Sequence, residues 1–259
     1  MTDETMTEVV HQTFDPAGRP VGPPPLSTTA AITTIGHIGW LGWVWLTVAV
    51  LYGVAMIPIS IFGDLDGNSP WQDAVGGWQQ WLFYGAGITT VPTFAKMLIT
   101  NGVTRAQVSR SSIIAMVILG VLGGIFVAGG LAVEGLIYDV NDWSRELRGG
   151  STAPGFATIV GIGADSVLVL CAYFVAGWLS VAGFYRLGWV VGALFVPVAM
   201  VPAAFSELVL RVDVGTRIDV LDGVAPDLPS AVWSLSTVAV IAVATLGATW
   251  MTSEIELDN

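Results

Sequence analysis

The sequence predicts an all-α fold, a polytopic membrane protein built as a six-helix transmembrane bundle, and three observations predict it. Apolar residues make up 54% of the 259 positions and charged residues only 11%, against roughly a quarter charged in soluble globular domains. The apolar residues fall in separate runs of about 20 or more, the length a helix needs to cross a hydrocarbon layer. Tryptophans then sort to the run ends, as indole rings do at the two bilayer interfaces. With six alternating spans, Trp40, Trp43, Trp178, Trp189 and Trp250 fall toward one side, and Trp71, Trp78, Trp81, Trp143 and Trp233 toward the other. Trp45 alone lies well inside a span.

Taken in order, residues 1–35 are polar, then proline-rich, then rich in threonine and alanine. That composition predicts a disordered tail leading to the membrane surface. Residues 26–36 are read either as an interfacial helix capped by Ser27 or Thr28 or as an unstructured lead-in. Acids and prolines where an apolar core would be required argue against a cleavable signal, which leaves targeting to the first span. The domain of six spans covers 36–252, and an acidic tail, 253–259, follows.

Span one is 38–62, with Pro58 near its far end predicting a kink. A link with Asp64, Asp66 and Asp73 but no cation leads to span two, 79–99, which Pro92 interrupts. Span three, 112–138, carries Gly120, Gly123, Gly124, Gly129 and Gly130. Small residues at that spacing let helix backbones approach closely in lipid, so this helix is expected at the centre of the bundle. After a polar link with Arg145, Glu146 and Arg148 comes span four, 157–183. A short turn around Tyr185-Arg186 gives way to span five, 187–209, and a charged link at 210–230 precedes span six, 231–251.

Composition excludes several functions. Net charge is −11, with the acids mainly in tails and links, so no electrostatic footprint for nucleic acid exists. Cys171 is the only cysteine, which excludes a disulfide framework and a cysteine-rich metal centre. His11 and His37 are far apart and lack a His-Glu-x-x-His signature, so neither a zinc site nor any other cofactor is expected. His37 opens span one and is read as an interfacial polar residue. No phosphate-cradling glycine-lysine loop occurs, and no nucleophile-and-base pair suggests itself in the spans, so the chain is not expected to be an enzyme.

The most informative stretch is the elbow between spans two and three, residues 100–111. Asn101-Gly102 is a helix-stop signal. Thr104 followed three residues later by Gln107 matches a capping box, in which the Thr hydroxyl accepts from the Gln107 amide and the Gln side chain returns to the amide of Thr104. The chain is therefore expected to turn sharply and restart as a short helix bearing Arg105 and Arg110. Those arginines either anchor the hairpin to anionic lipid headgroups or meet a partner. Orientation rests on the same stretch: the outer link of the first hairpin has no cation, whereas Lys96, Arg105 and Arg110 flank the elbow. Positive residues mark the cytoplasmic side, so both termini are expected in the cytoplasm.

An apolar span, then Asn101-Gly102-Val103-Thr104-Arg105, then a glycine-rich span ending Glu134-Gly135-Leu136-Ile137-Tyr138 and soon Trp143 resembles the permease-like membrane proteins of actinobacteria. Those are similar to the membrane subunits of ATP-binding-cassette exporters of the second type. The resemblance implies a plasma-membrane transport subunit, working as a homo- or heterodimer with a separate ATPase. It implies that the elbow is a coupling helix, with Thr104, Arg105, Gln107 and Arg110 at the ATPase contact. It also implies an interfacial helix before span one and outer half-helices between spans five and six, where this chain is instead charged and polar.

Three ionisable groups lie within spans, where burial is costly: Glu134, Asp165 and Glu207. Asp165 is the deepest, roughly 12 Å along its helix. Each is read either as part of a translocation path, including a proton-coupling carboxylate, or as a buried group that orients helices, for example Glu134 with Arg211 or Arg145. The functions left open are a transport permease, a non-transporting anchoring or assembly subunit, and an ion- or proton-coupled carrier using Asp165.

Overall fold

The computed structural model describes residues 24–62, 67–147, 155–210 and 230–255. In chain order the elements are α1 (Leu26–Phe62), β1 (Gly67–Asn68), α2 (Pro70–Val75), α3 (Trp78–Thr89), a π-helical segment (Thr90–Ala95), α4 (Lys96–Thr100), α5 (Arg105–Val140), β2 (Arg145–Glu146), α6 (Phe156–Ala199), α7 (Val201–Leu210) and α8 (Ser230–Ser253). Five helical stretches are long and apolar enough to cross a membrane: Leu26–Ile59, Pro70–Thr100, Arg105–Val140, Phe156–Leu210 and Ala231–Ser253. The all-α bundle read from hydropathy is present, and its surface fits lipid. Trp43 is 71% exposed and Trp189 80%, with Leu46, Val50, Leu194 and Leu246 among many exposed aliphatics. Water would not tolerate so continuous an apolar surface.

The first departure from the sequence reading is at the N-terminal end. Residues 26–36 are neither a separate interfacial helix nor a loose lead-in; α1 is one helix of 37 residues, about 55 Å long. Its first turn is closed by the Pro25 carbonyl, which accepts from the amides of Thr28 and Thr29. Ser27 and Thr28 therefore lie inside the helix rather than capping it. A buried seam of Ala30, Thr33, His37, Leu41 and Trp45 recurs at intervals of three and four, so the tertiary contact that continues α1 also extends through its beginning.

Pro92 lies in the π-helical segment. Proline has no N–H to give the carbonyl four residues back, and the wider π turn absorbs that loss without breaking the span. At the far end, Val103 N donates to Leu98 O at 3.1 Å and Gly102 N to Ile99 O at 3.0 Å, with Gly102 at φ 81°. This is the paired-bond helix stop that glycine at this place favours, with its usual apolar contact supplied by buried Leu98 and Val103.

The centre of the bundle is α6, not the glycine-rich α5. Every residue from 169 to 183 is buried, because small side chains there admit neighbours on several sides. A Cβ on Gly177 would strike the Tyr84 carbonyl of α3, and one on Gly87 the Phe174 carbonyl of α6. The α5 glycines serve the same helix from the other side: a Cβ on Gly120 would lie 2.6 Å from Cys171 Sγ, and one on Gly124 2.6 Å from Gly163 O. Close backbone approach of this kind is what holds helices together where lipid supplies no hydrophobic drive.

Phe156–Leu210 is too long, at 55 residues, to be one crossing. Gly188, at φ 79° and ψ 173°, breaks it in a conformation essentially restricted to glycine. The break is two to three residues beyond the expected turn at Tyr185-Arg186. Beyond it the chain folds back: Phe184 packs on Trp189 at 5.4 Å, and Tyr173 reaches Glu207. The segments 1–23, 63–66, 148–154, 211–229 and 256–259 lie outside the described residues, and with them fall His11, Arg148, Arg211, the expected disordered tail, most of the acidic C-terminal tail and any half-helices in the 210–230 link.

The backbone contacts between α3 and α6 give a stability test. Gly177→Leu, by overpacking, should lower unfolding free energy in detergent by on the order of 1–3 kcal/mol or more. Gly129→Leu, where nothing lies within 4 Å, should leave the denaturation midpoint nearly unchanged.

Candidate functional site

The most elaborate polar centre is built around Glu134, in the last third of α5 and fully buried. Oε1 accepts from the Trp71 amide at 2.7 Å and from the Tyr52 hydroxyl at 3.0 Å. Oε2 accepts from Ser69 Oγ at 2.5 Å and lies 3.5 Å from Arg145 Nη1. A carboxylate has about four lone-pair sites; three accept hydrogen bonds here, and the Arg145 charge lies beside the carboxylate. Of the two cations read as partners, Arg145 is the one observed.

Each partner is placed by a local rule. Ser69 is the N-cap of α2, accepting from the Gln72 amide while donating to Glu134, and Pro70 takes the first helical position, where no N–H is needed. The Trp71 amide, left without an intrahelical acceptor at the start of the helix, points at the carboxylate instead. Arg145 is delivered by the turn after α5. There Trp143 N donates to Tyr138 O at 3.1 Å, Asp142 takes φ 54° and the Tyr138 and Trp143 rings meet edge-on at 5.6 Å, the same stop as at Gly102. Arg145 also donates to Leu131 O at 2.7 Å. The links after α1 and α5 then meet in a two-residue parallel ladder, Gly67 opposite Arg145 and Asn68 opposite Glu146.

The elbow is compact, but only part of its expected chemistry is present. Thr104 Oγ1 accepts from the Gln107 amide at 3.3 Å, as a cap should. Gln107 does not return to Thr104; its Nε2 donates to Pro24 O, because the start of α1 brings an unpaired carbonyl within reach. No separate short helix forms, since Arg105 begins the 36-residue α5 itself. Arg105 donates to Ser253 O at 3.1 Å, an orphan carbonyl at the end of α8. Arg110 and Thr104 are exposed, and Arg110 has no partner among the described residues.

Near the elbow, Arg186 pairs with Glu254 at 2.5 Å and covers the Trp250 ring at 3.7 Å. Trp178, expected at a lipid interface, is buried in the bundle and donates to Thr252 Oγ1 at 3.1 Å. The ends of α1, α5, the first arm of α6 and α8 thus converge on one face.

The remaining sequence candidates are scattered. Glu207 is half-buried and accepts from Tyr173, whose ring meets Trp81 edge-on at 5.7 Å, so its partner is a phenol rather than a cation. Asp165 is half-buried, nine residues into α6, without a partner among the described residues. These three carboxylates are not brought into one site.

His37 was missed as a core residue. It is fully buried, with Nδ1 2.8 Å from Thr33 O, Nε2 3.0 Å from Ala86 O and 3.2 Å from Thr89 Oγ1, and its ring is stacked on Phe94 at 4.6 Å. Its spacing of four from Thr33 and Leu41 was the available signal. No group of three or more His, Cys, Asp or Glu able to hold a metal occurs among the described residues.

Fold and surface together define a class, the multi-pass α-helical membrane protein. Comparison with protein-family models, with curated proteins and with solved structures finds no match.

Removing the buried carboxylate should be costly. Glu134→Ala strands the Arg145 guanidinium in the protein and should lower unfolding free energy by about 3–5 kcal/mol. Glu134→Gln, which keeps an acceptor for the Trp71 amide, should lose less. Denaturant titration in micelles reads both.

Proposed function

We propose that the chain is the membrane subunit of an ATP-binding-cassette transporter in the plasma membrane, crossing six times with both termini cytoplasmic, and powered by a separate ATPase docked on the elbow. The observation that carries the reading is the bracing of the elbow: Gln107 holds the start of α1, Arg105 holds the end of α8, and the Gly102 stop fixes the turn. A partner's push on such a turn reaches three helices at once, which is what coupling of hydrolysis to transport requires. Counting six crossings is supported by the Gly188 break and the contacts across it.

The geometry redistributes the expected roles within the elbow. Arg105 and Gln107 spend their donors on the chain itself and so hold the elbow in shape, while Thr104 and Arg110 present the free face. Asp165, half-buried and unpaired among the described residues, is the carboxylate best placed to line a path. A dimer of this chain, homo- or heteromeric, would enclose that path together with surrounding lipid. The second reading, an anchoring or assembly subunit without transport, is favoured by the internal partners that Glu134 has on both oxygens. Under it Asp165→Asn would leave substrate flux unchanged.

Arg110→Glu should reduce co-purification with the ATPase about tenfold, the order of one exchanged ion pair at a protein interface, without shifting thermal unfolding. Retention of the ATPase at wild-type yield by this variant would reject docking at the elbow. Asn101→Cys, at an exposed position, should react with an impermeant thiol reagent only after cells are permeabilised. Reaction on intact cells would reverse the topology.

A further inference from the structure

The link between α1 and α3 lies along the bundle wall rather than above it. Ser69 and the Trp71 amide meet Glu134. Trp71 Nε1 donates to Val127 O at 3.1 Å, and its ring fills the place a Cβ on Gly130 would take. Gln79 Nε2 lies 3.1 Å from where a Cβ on Gly123 would be. From Glu134 to Val127 is seven residues of α5, so the link descends about 10 Å along it, and Gln79, at the start of α3, continues the line to Gly123.

Behind the link is an aromatic wall: Phe126 packs on Trp71 at 5.2 Å and on Trp45 at 5.5 Å, and Trp45 approaches Phe83 at 6.2 Å. Two hydrogen-bond donors stand in this wall unused. Trp45 Nε1 and Gln79 Nε2 are both buried without a partner, on side chains 9% and 2% exposed. An unpaired donor in a dry interior is unfavourable, so the arrangement with the link down leaves two groups that gain from an incoming acceptor. The link itself is held to α5 chiefly through one carboxylate and one indole.

We propose that residues 69–77 are a strap latched by Glu134, and that its release admits a neutral, apolar ligand bearing a carbonyl or ether oxygen, which Trp45 and Gln79 bind. The donor pair selects an acceptor; the aromatic faces select a flat apolar body. Arg145 already serves Glu134 and Leu131 O, and no other cation contacts the wall among the described residues, so an anionic ligand is disfavoured. The inference stands apart from the transport reading, because neither an ATPase nor flux enters it.

Two measurements on the full chain in lipid nanodiscs test it. In Gln79→Cys, labelling by a charged methanethiosulfonate reagent should accelerate at least tenfold when Ser69→Ala or Trp71→Phe is added, the first removing a strap bond to Glu134 and the second the indole bond to Val127 O, while buried Cys171 stays unreactive. Unchanged labelling in both double variants would show that the strap does not open. Labelling that rises equally at Cys171 would show general unfolding, and either result overturns the proposal. Benzophenone, a neutral diaryl ketone, should photolabel the wild-type peptide containing Phe126 saturably, with at least a fivefold loss in Gln79→Leu. Labelling that does not saturate, or is equal in the two proteins, would overturn the acceptor site.

Discussion

A carboxylate with no access to water must find its hydrogen bonds inside the protein, and one half of this bundle is arranged around that requirement at Glu134. Its desolvation is offset only if donors surround both oxygens. They come from three places in the sequence: Tyr52 on α1, Ser69 and the Trp71 amide at the start of α2, and Arg145 after α5. Bringing them together fixes how far α1 runs beside α5, where the link after α1 lies, and how the link after α5 turns back. The ladder at Gly67 and Asn68 follows from the same convergence. It is too short to hold two loops together by itself.

Elsewhere the bundle is held by closeness rather than by polarity. Gly87 and Gly177 let α3 and α6 meet backbone to backbone, and Gly120, Gly124 and Gly163 do the same for α5 and α6. Hydroxyls along buried faces mostly bond back to the carbonyl three or four residues earlier, as Thr33, Ser112, Ser166 and Ser180 do, so they cost little to bury. Two modes of cohesion therefore divide the molecule: polar convergence around Glu134 and at the opposite end beside the elbow, steric intimacy between.

What could be read from the sequence depended on how local the cause was. The stop at Asn101-Gly102 and the cap at Thr104 are set by adjacent residues and were legible. The far half of the capping box was not, because Gln107 had a better acceptor in Pro24, 83 residues away in sequence. Glu134 with Arg145 is one of two pairings the sequence offers, and the turn after Tyr138 puts that arginine nearby; the contributions of Tyr52 and Ser69 need the fold. Glycine spacing in α5 showed that a helix packs closely there, but not that the beneficiary is α6, whose own small residues carry the central position. His37 looked interfacial because it begins an apolar run, yet α1 extends eleven residues before it and carries it into the core.

The lengths of α1 and α5, about 55 Å each, exceed a hydrocarbon thickness of some 30 Å. The two helices start together, where Gln107 meets Pro24, and both run on to the level of Ser69 and Arg145. Hydrophobic mismatch is ordinarily absorbed by tilt or by local thinning of the lipid. Here the surplus carries exposed aliphatic side chains, Ile57 and Ile61 on α1 and Val133 and Leu136 on α5, so bilayers of different depth would each meet an apolar wall along the same pair of helices.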